Sequence, residues 1–296
     1  SDLLTLNAGF HFFFFDLNKT ETLEPRFGVS YFLNPTQSFS LAYGVHSRLQ
    51  NIITYYFLDM APGKKPVETN LNLGMTRAHH LVIGYDQRLN INTRLKIEAY
   101  YQSLFDVPVE SVPSSFSVLN TGSIFGVDVR ENLVNDGTGK NYGIELTLER
   151  FYSKGLYFLV TGSLFDSKYL ASDGIERHTL FDNDYVTNVL AGKEFRLSEK
   201  NTLFFDGRIS YAGGKRYTPI DLERSIKAGE MKYFQDRAFS QQHPAYFRLD
   251  MKIGYRRSSA RLTQEWQFYI ENLTNRKNVF NQLYNDDKQE IETVYQ

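Results

Sequence analysis

Hydrophobic and polar positions alternate with period two along most of this 296-residue chain. Phe247, Leu249, Met251, Ile253 and Tyr255 share one face, and Arg248, Asp250, Lys252 and Arg256 the other. Pro25, Phe27, Val29, Tyr31 and Leu33 likewise oppose Glu24, Arg26 and Ser30, and Phe39, Leu41, Tyr43 and Val45 oppose Ser40, Gly44, His46 and Arg48. Leu81, Ile83 and Tyr85 oppose His80, Asp86 and Arg88; Leu95, Ile97, Ala99 and Tyr101 oppose Lys96, Glu98, Tyr100 and Gln102. Tyr142, Ile144, Leu146 and Leu148 oppose Gly143, Glu145, Thr147 and Glu149, and Leu203, Phe205, Ile209 and Tyr211 oppose Phe204, Asp206, Arg208 and Ser210. Trp266, Phe268 and Ile270 oppose Glu265, Gln267, Tyr269 and Glu271. Successive side chains of a strand point to opposite faces, so the pattern predicts strands and no competing helical period. With further strands near 3–16, 156–168 and 185–197, eleven are expected, each about ten residues long, as a tilted bilayer-crossing strand requires.

The connections sort by length. Those near 34–37, 91–93, 153–155, 198–200 and 257–262 are short and rich in turn-forming residues. Those near 50–77, 106–140, 169–184, 213–244 and 274–290 are long, and 17–22 is the one brief member of that set. Short turns at one end of the strands and long loops at the other mark an outer-membrane barrel. Tyr31, Tyr85, Tyr101, Tyr142, Tyr211 and Tyr255 end apolar faces, as interfacial girdles do. The run "FHFFFFDL" (10–17) fits the same scheme: Phe10, Phe12 and Phe14 face lipid, while Phe13 and Phe15 join Asn7 and His11 on the inner face.

Composition narrows the choice. No apolar run exceeds Leu156–Val160, which excludes membrane helices but not membrane strands. The net charge of −1 argues against nucleic-acid binding, and the absence of cysteine removes disulfides and thiolate metal sites. His79 and His80 are adjacent and would point apart on a strand, and His11, His46, His178 and His243 show no metal-binding spacing. No metal, cofactor or catalytic residue is therefore expected. "NDGTGKN" (135–141) lacks the first glycine and the Ser/Thr of a phosphate loop and reads as a turn leading into a strand. In "RYTPIDLERSIKAGE" (216–230), Thr218 as cap and Pro219 at the first position predict a short helix in a long loop.

Several segments resemble a known family. "TLEPRFGVSYFLN" (22–34), "LAYGVHSRLQ" (41–50), "KNYGIELTLERFYSKGLYFLVTGSLFDSKY" (140–169), "YAGGKRYTPIDLERS" (211–225) and "FRLDMKIGYRRSSARLTQEWQFYIENLTNRKNVF" (247–280) are similar to the C-terminal barrel region of TonB-dependent outer-membrane receptors of the Bacteroidetes type. The resemblance implies a 22-stranded barrel closed by a plug, importing scarce nutrients with energy from an inner-membrane complex. The chain departs from the full pattern: it has no plug, eleven strands, and ends at "IETVYQ" (291–296) where a last strand with an aromatic end is expected. The expectation is thus an all-β, antiparallel transmembrane β-barrel, with residues 1–296 its C-terminal portion, long extracellular loops and an incomplete last strand.

Under that reading Glu98, Glu145, Glu149, Asp206, Arg208, Arg248, Asp250 and Lys252 face the lumen, where they either hydrate it or hydrogen-bond the plug, and the resemblance favours the plug. Tyr55, Tyr56, Tyr217 and Tyr233 are candidate ligand contacts in the outer loops. The expected partners are the TonB complex, the receptor's own plug, a surface lipoprotein and the lipid bilayer. Siderophore, oligosaccharide, peptide and metal chelate are all open as cargo. Two competitors remain: a complete twelve-stranded barrel acting as a passive channel or outer-membrane enzyme, and a soluble glycan-binding β-sandwich.

Overall fold

The computed structural model describes residues 3–59, 67–121, 128 and 130–296. Eleven long strands form one sheet: β1 (Leu4–Phe15), β2 (Thr20–Asn34), β3 (Gln37–Arg48), β4 (Thr76–Asn90), β5 (Thr93–Glu110) and β6 (Leu133–Ser153), then β7 (Leu156–Leu170), β8 (Tyr185–Arg196), β9 (Asn201–Ala212), β10 (Tyr246–Ser258) and β11 (Thr263–Ile270). Each pairs antiparallel with the next in chain order, an up-and-down meander. A short segment, Glu176–His178, adds to the outer end of β7. The periodicity located all eleven strands within a few residues of their ends, except at β5 and β6.

Those two run further than the alternation suggests. "NDGTGK" is not a turn: Gly137 pairs with Val107 and Gly139 with Leu104 inside the β5–β6 ladder, across two register shifts. Asp106 takes a positive φ of 55° at this irregularity, and the Arg77 Nε–H donates to its carboxylate at 2.6 Å. A Cβ on Gly137 would lie 2.9 Å from the Val107 carbonyl oxygen, so glycine here permits close strand approach rather than chain reversal.

The connections divide as the sequence indicates, except after β11, where the expected loop 274–290 instead holds the strand Val279–Asn285, paired with Glu290–Tyr295 in a separate two-stranded sheet. At one end the links are residues 35–36, 91–92, 154–155, 197–200 and 259–262. Lys154 and Gly155 both have positive φ, 52° and 73°, as a two-residue hairpin turn requires. At the other end lie 16–19, 49–75, 111–132, 171–184 and 213–245. The expected helix in the last of these is Leu222–Ala228, and its cap is Asp221, whose side chain accepts from Arg224 N–H at 3.0 Å. Thr218 instead accepts from Phe239 N–H, so the helix starts later than the Thr-Pro signal implies.

Among the described residues no second layer covers the apolar face of the sheet. Phe10 is 78% exposed, Leu164 66% and Phe268 67%. The buried apolar clusters sit instead at the long-loop end: Tyr55, Leu73 and Leu133 form one, Val109, Tyr169 and Ala171 another. A soluble sandwich would bury its apolar strand faces against a partner sheet, so that alternative fails. A continuous exposed apolar band belongs in lipid. Aromatic pairs fall at both of its rims. Phe39–Tyr85, Phe195–Phe205 and Tyr255–Trp266 lie toward the short turns, and Tyr43–His79, Tyr101–Tyr142 and Tyr185–Tyr211 toward the long loops. No helix among the described residues is long and apolar enough to cross a membrane, whereas strands with an exposed apolar face are the other structure that can span one.

The phenylalanine run divides as its parity requires. Phe10, Phe12 and Phe14 are exposed on the apolar face; Phe13 and Phe15 are half-buried on the other. Phe15 packs on Tyr55, ring centroids 5.1 Å apart, so it is the 49–75 loop that covers this residue. In a receptor carrying this chain, Phe12→Asp should reduce assembled barrel roughly tenfold, the effect of about 1–2 kcal/mol on the lipid face. Phe13→Asp should leave assembly near wild type; equal losses in heat-modifiable gel migration would contradict the facing. Tyr55→Ala should cost about 3–5 kcal/mol of local packing, read as new protease cleavage within 49–75 with the strands intact.

Candidate functional site

The polar face of the sheet carries all eight inward charges picked out by their alternation, and it divides into two regions. On β9 and β10 the charges satisfy one another. Asp250 is buried and accepts from Arg208 Nε at 3.0 Å, Arg248 Nε at 2.7 Å and the Asn272 backbone N–H at 2.9 Å. Asp206 accepts from Tyr157 Oη at 2.6 Å and pairs with Lys252 at 2.7 Å. Phe204 is also buried, with Lys252 and Arg256 each 5.4 Å from its ring centre. A carboxylate held by charge-assisted hydrogen bonds in this way is fixed within the wall.

On β5 and β6 the situation reverses. Glu98 lies directly opposite Glu145 in the strand register. Like charges facing each other across a strand pair are destabilising by about 0.2–1 kcal/mol. Glu98 has Lys96 at 2.6 Å, but Glu145 has no ion pair or hydrogen bond among the described residues. Glu149 sits opposite Arg94, whose guanidinium is engaged with Asp86 on β4. Both Glu98 and Glu145 line a hollow of ≈ 500 Å³ on this wall, with His80, Tyr100 and Asn141. This wall therefore carries a carboxylate, Glu145, that is not ion-paired among the described residues.

Above it, the long loops enclose a cavity of ≈ 640 Å³, within the usual range of small-molecule sites. Its aromatic lining is Phe116 from the 111–132 loop, Tyr217, Tyr233 and Phe239 from the 213–245 loop, and Phe280 from the strand Val279–Asn285. Tyr217 stacks on His243 at 4.1 Å and 8°, which fixes one wall. Burial, and then the nearby Lys215 ammonium, lower the pKa of His243, favouring the neutral ring in this stack. Burial raises the Tyr233 phenol above its ordinary value. Arg130 lies over Phe116 and is paired with Asp128, whereas Lys215 lies 5.6 Å from the Phe280 ring centre and has no ion pair among the described residues.

The four loop tyrosines thus separate. Tyr217 and Tyr233 line the cavity, and Tyr56 is exposed away from it. Tyr55 corrects the expectation for it: it is 0% exposed and anchors the 49–75 loop, so it presents no surface to a ligand. Phe116, Phe239, Phe280 and Lys215 were not visible from spacing, because segments far apart in sequence bring them together.

The chain matches the family model described as TonB dependent receptor-like, beta-barrel, over residues 1–275. No curated protein sequence matches it. Among solved structures it resembles the outer membrane transporter YddB from Escherichia coli, at 14% identity over 93% of this chain and 40% of that one, with a TM-score of 0.66. It also resembles BauA, the ferric preacinetobactin receptor from Acinetobacter baumannii (15%, 93% and 35%, 0.58). A third is the ferric yersiniabactin uptake receptor FyuA from Yersinia pestis (12%, 90% and 34%, 0.59). At such identities the likeness is one of fold, and the chain spans 34% to 40% of the length of these proteins. The chain belongs to the TonB-dependent receptor β-barrel family, whose barrels stand in the bacterial outer membrane.

Proposed function

We propose that these strands are the C-terminal part of the barrel of a TonB-dependent importer, not an enzyme, that takes up a scarce nutrient across the outer membrane. The observation that carries this reading is the facing pair Glu98 and Glu145 on the polar face of the sheet, where Glu145 has no ion pair or hydrogen bond among the described residues, whereas Asp206 and Asp250 on β9 and β10 are paired. A cationic group on a plug would neutralise that pair, and would do so reversibly because the wall itself does not depend on it. The Arg248 and Asp250 pair, by contrast, belongs to the wall and not to the plug contact. Cargo binds first in the loop cavity, where aromatic faces and the Lys215 ammonium converge. Siderophore and iron uptake, named for BauA and FyuA, are the leading cargo class by this likeness. A surface lipoprotein and the TonB complex complete the partners of this reading. The Bacteroidetes-type assignment rests on the wording of 140–169, 211–225 and 247–280.

Three experiments in cells carrying the full receptor test it. Collapse of the protonmotive force should stop uptake, whereas continued flux at the energised rate would mean a passive channel. Glu145→Ala should lower energised uptake at least tenfold while surface binding of cargo stays within twofold. In the cavity, Tyr217→Ala or Lys215→Glu should weaken cargo binding about tenfold, the equivalent of about 1.4 kcal/mol. Unchanged binding by both would move the site elsewhere.

A further inference from the structure

The 171–184 loop folds back on the outer end of β7 and brings together three side chains that sequence spacing keeps apart. Asp166 projects from β7, His178 from the Glu176–His178 segment, and Asp182 from the turn that follows. His178 Nδ1 hydrogen-bonds Asp182 Oδ2 and lies 3.5 Å from Asp166 Oδ1. The three ligand atoms all fall within 4.8 Å of one another. Asp182 is 0% exposed.

One atom in this cluster is unexplained by protein contacts. Asp166 Oδ2 is fully engaged, accepting from Tyr142 Oη at 2.6 Å and pairing with Lys168 at 2.9 Å. Asp166 Oδ1 is shut off from solvent and accepts no hydrogen bond. Such orphaned buried acceptors are rare and call for a partner. Arg216 does not supply one: it is 3.7 Å from Asp182 Oδ2 and gives its hydrogen bond to Asp184 at 2.9 Å.

We propose that Asp166, His178 and Asp182 form a binding site for a borderline divalent cation of the zinc class. One imidazole and two carboxylates are the donor set such ions take, and a tetrahedral ion bound at about 2.1 Å needs its ligand atoms about 3.4 Å apart. The Asp166–His178 separation already matches, and the His178–Asp182 contact opens slightly when the ring proton gives way to the ion. The ion takes the Nδ1 lone pair while the ring proton resides on Nε2, and water completes the coordination.

The site would act on the loop cavity. The chain between two of the ligands turns inward, where Thr179 Oγ1 donates to Ser167 at 2.8 Å and Leu180 N–H donates to Asn120 at 2.8 Å. Leu180 is part of the cavity wall. A bound ion would staple this turn to β7 and hold that wall in place. The inference goes beyond the transport reading and does not depend on it, because metal binding is measured without transport.

The test uses the full receptor extracted in detergent and stripped with chelator, titrated with Zn²⁺ by calorimetry and with Co²⁺ by visible absorption. Wild type should bind one more equivalent than His178→Gln, which can keep the hydrogen bond to Asp182 but removes the imidazole. Asp166→Asn should lose the same equivalent, and His79→Ala, on the lipid-facing girdle, should keep it. Heat-modifiable migration identifies folded samples of each variant. The Co²⁺ complex should show the intense d–d bands of a tetrahedral site, absent in His178→Gln. Equal stoichiometry and spectra in wild type, His178→Gln and Asp166→Asn would overturn the proposal.

Discussion

Backbone hydrogen bonding without water is the constraint on which the rest depends. In lipid every N–H and C=O must find its partner within the protein, and a meander of strands achieves this neighbour by neighbour. The side-chain period of two then does the sorting. Odd positions of β10 lie on the exposed apolar face that meets lipid, and even positions lie on the polar face, where they pair with one another. A one-residue slip would exchange the two sets completely, so the register pairs Phe205 with Ile253 and Asp206 with Lys252 for the same reason.

That constraint explains what was legible in the sequence. Eleven strands and the sorting of their connections could be read directly, because alternation and turn chemistry are local. "FHFFFFDL" was readable too once its parity was separated from its hydrophobicity. What escaped is non-local. Gly137 and Gly139 look like a turn because glycine signals reversal, yet here Gly137 lets β6 approach β5 closely and Gly139 leaves room for the Leu119 side chain and the Lys168 carbonyl of β7. Tyr55 looks like a free loop aromatic, yet Phe15, Leu73 and Leu133 close around it. Asp221 takes the capping role because the Tyr233–Ile220 bridge and the Asp221–Lys232 backbone bond set where the loop helix begins.

The candidate site was half legible for a related reason. Its eight charges lie on the face their alternation assigned, but their roles depend on neighbours across strands. Asp250 and Asp206 are fixed parts of the wall, whereas Glu98 and Glu145 confront each other. Nothing in a single strand distinguishes these cases. The cavity and the Asp166–His178–Asp182 cluster are further removed, since each is assembled from segments whose only link is the folded loop end. In this architecture the spanning strands are written locally and the chemistry is written in the loops.

The central claim is that one face of each strand meets lipid and the other does not. Single spin labels at successive positions from Phe247 to Tyr255 of β10, in the full receptor within outer-membrane vesicles, test it most directly. Accessibility to dissolved oxygen should peak at Phe247, Leu249, Met251, Ile253 and Tyr255 and fall at each position between them. Uniform accessibility, or a period near 3.6, would contradict the account.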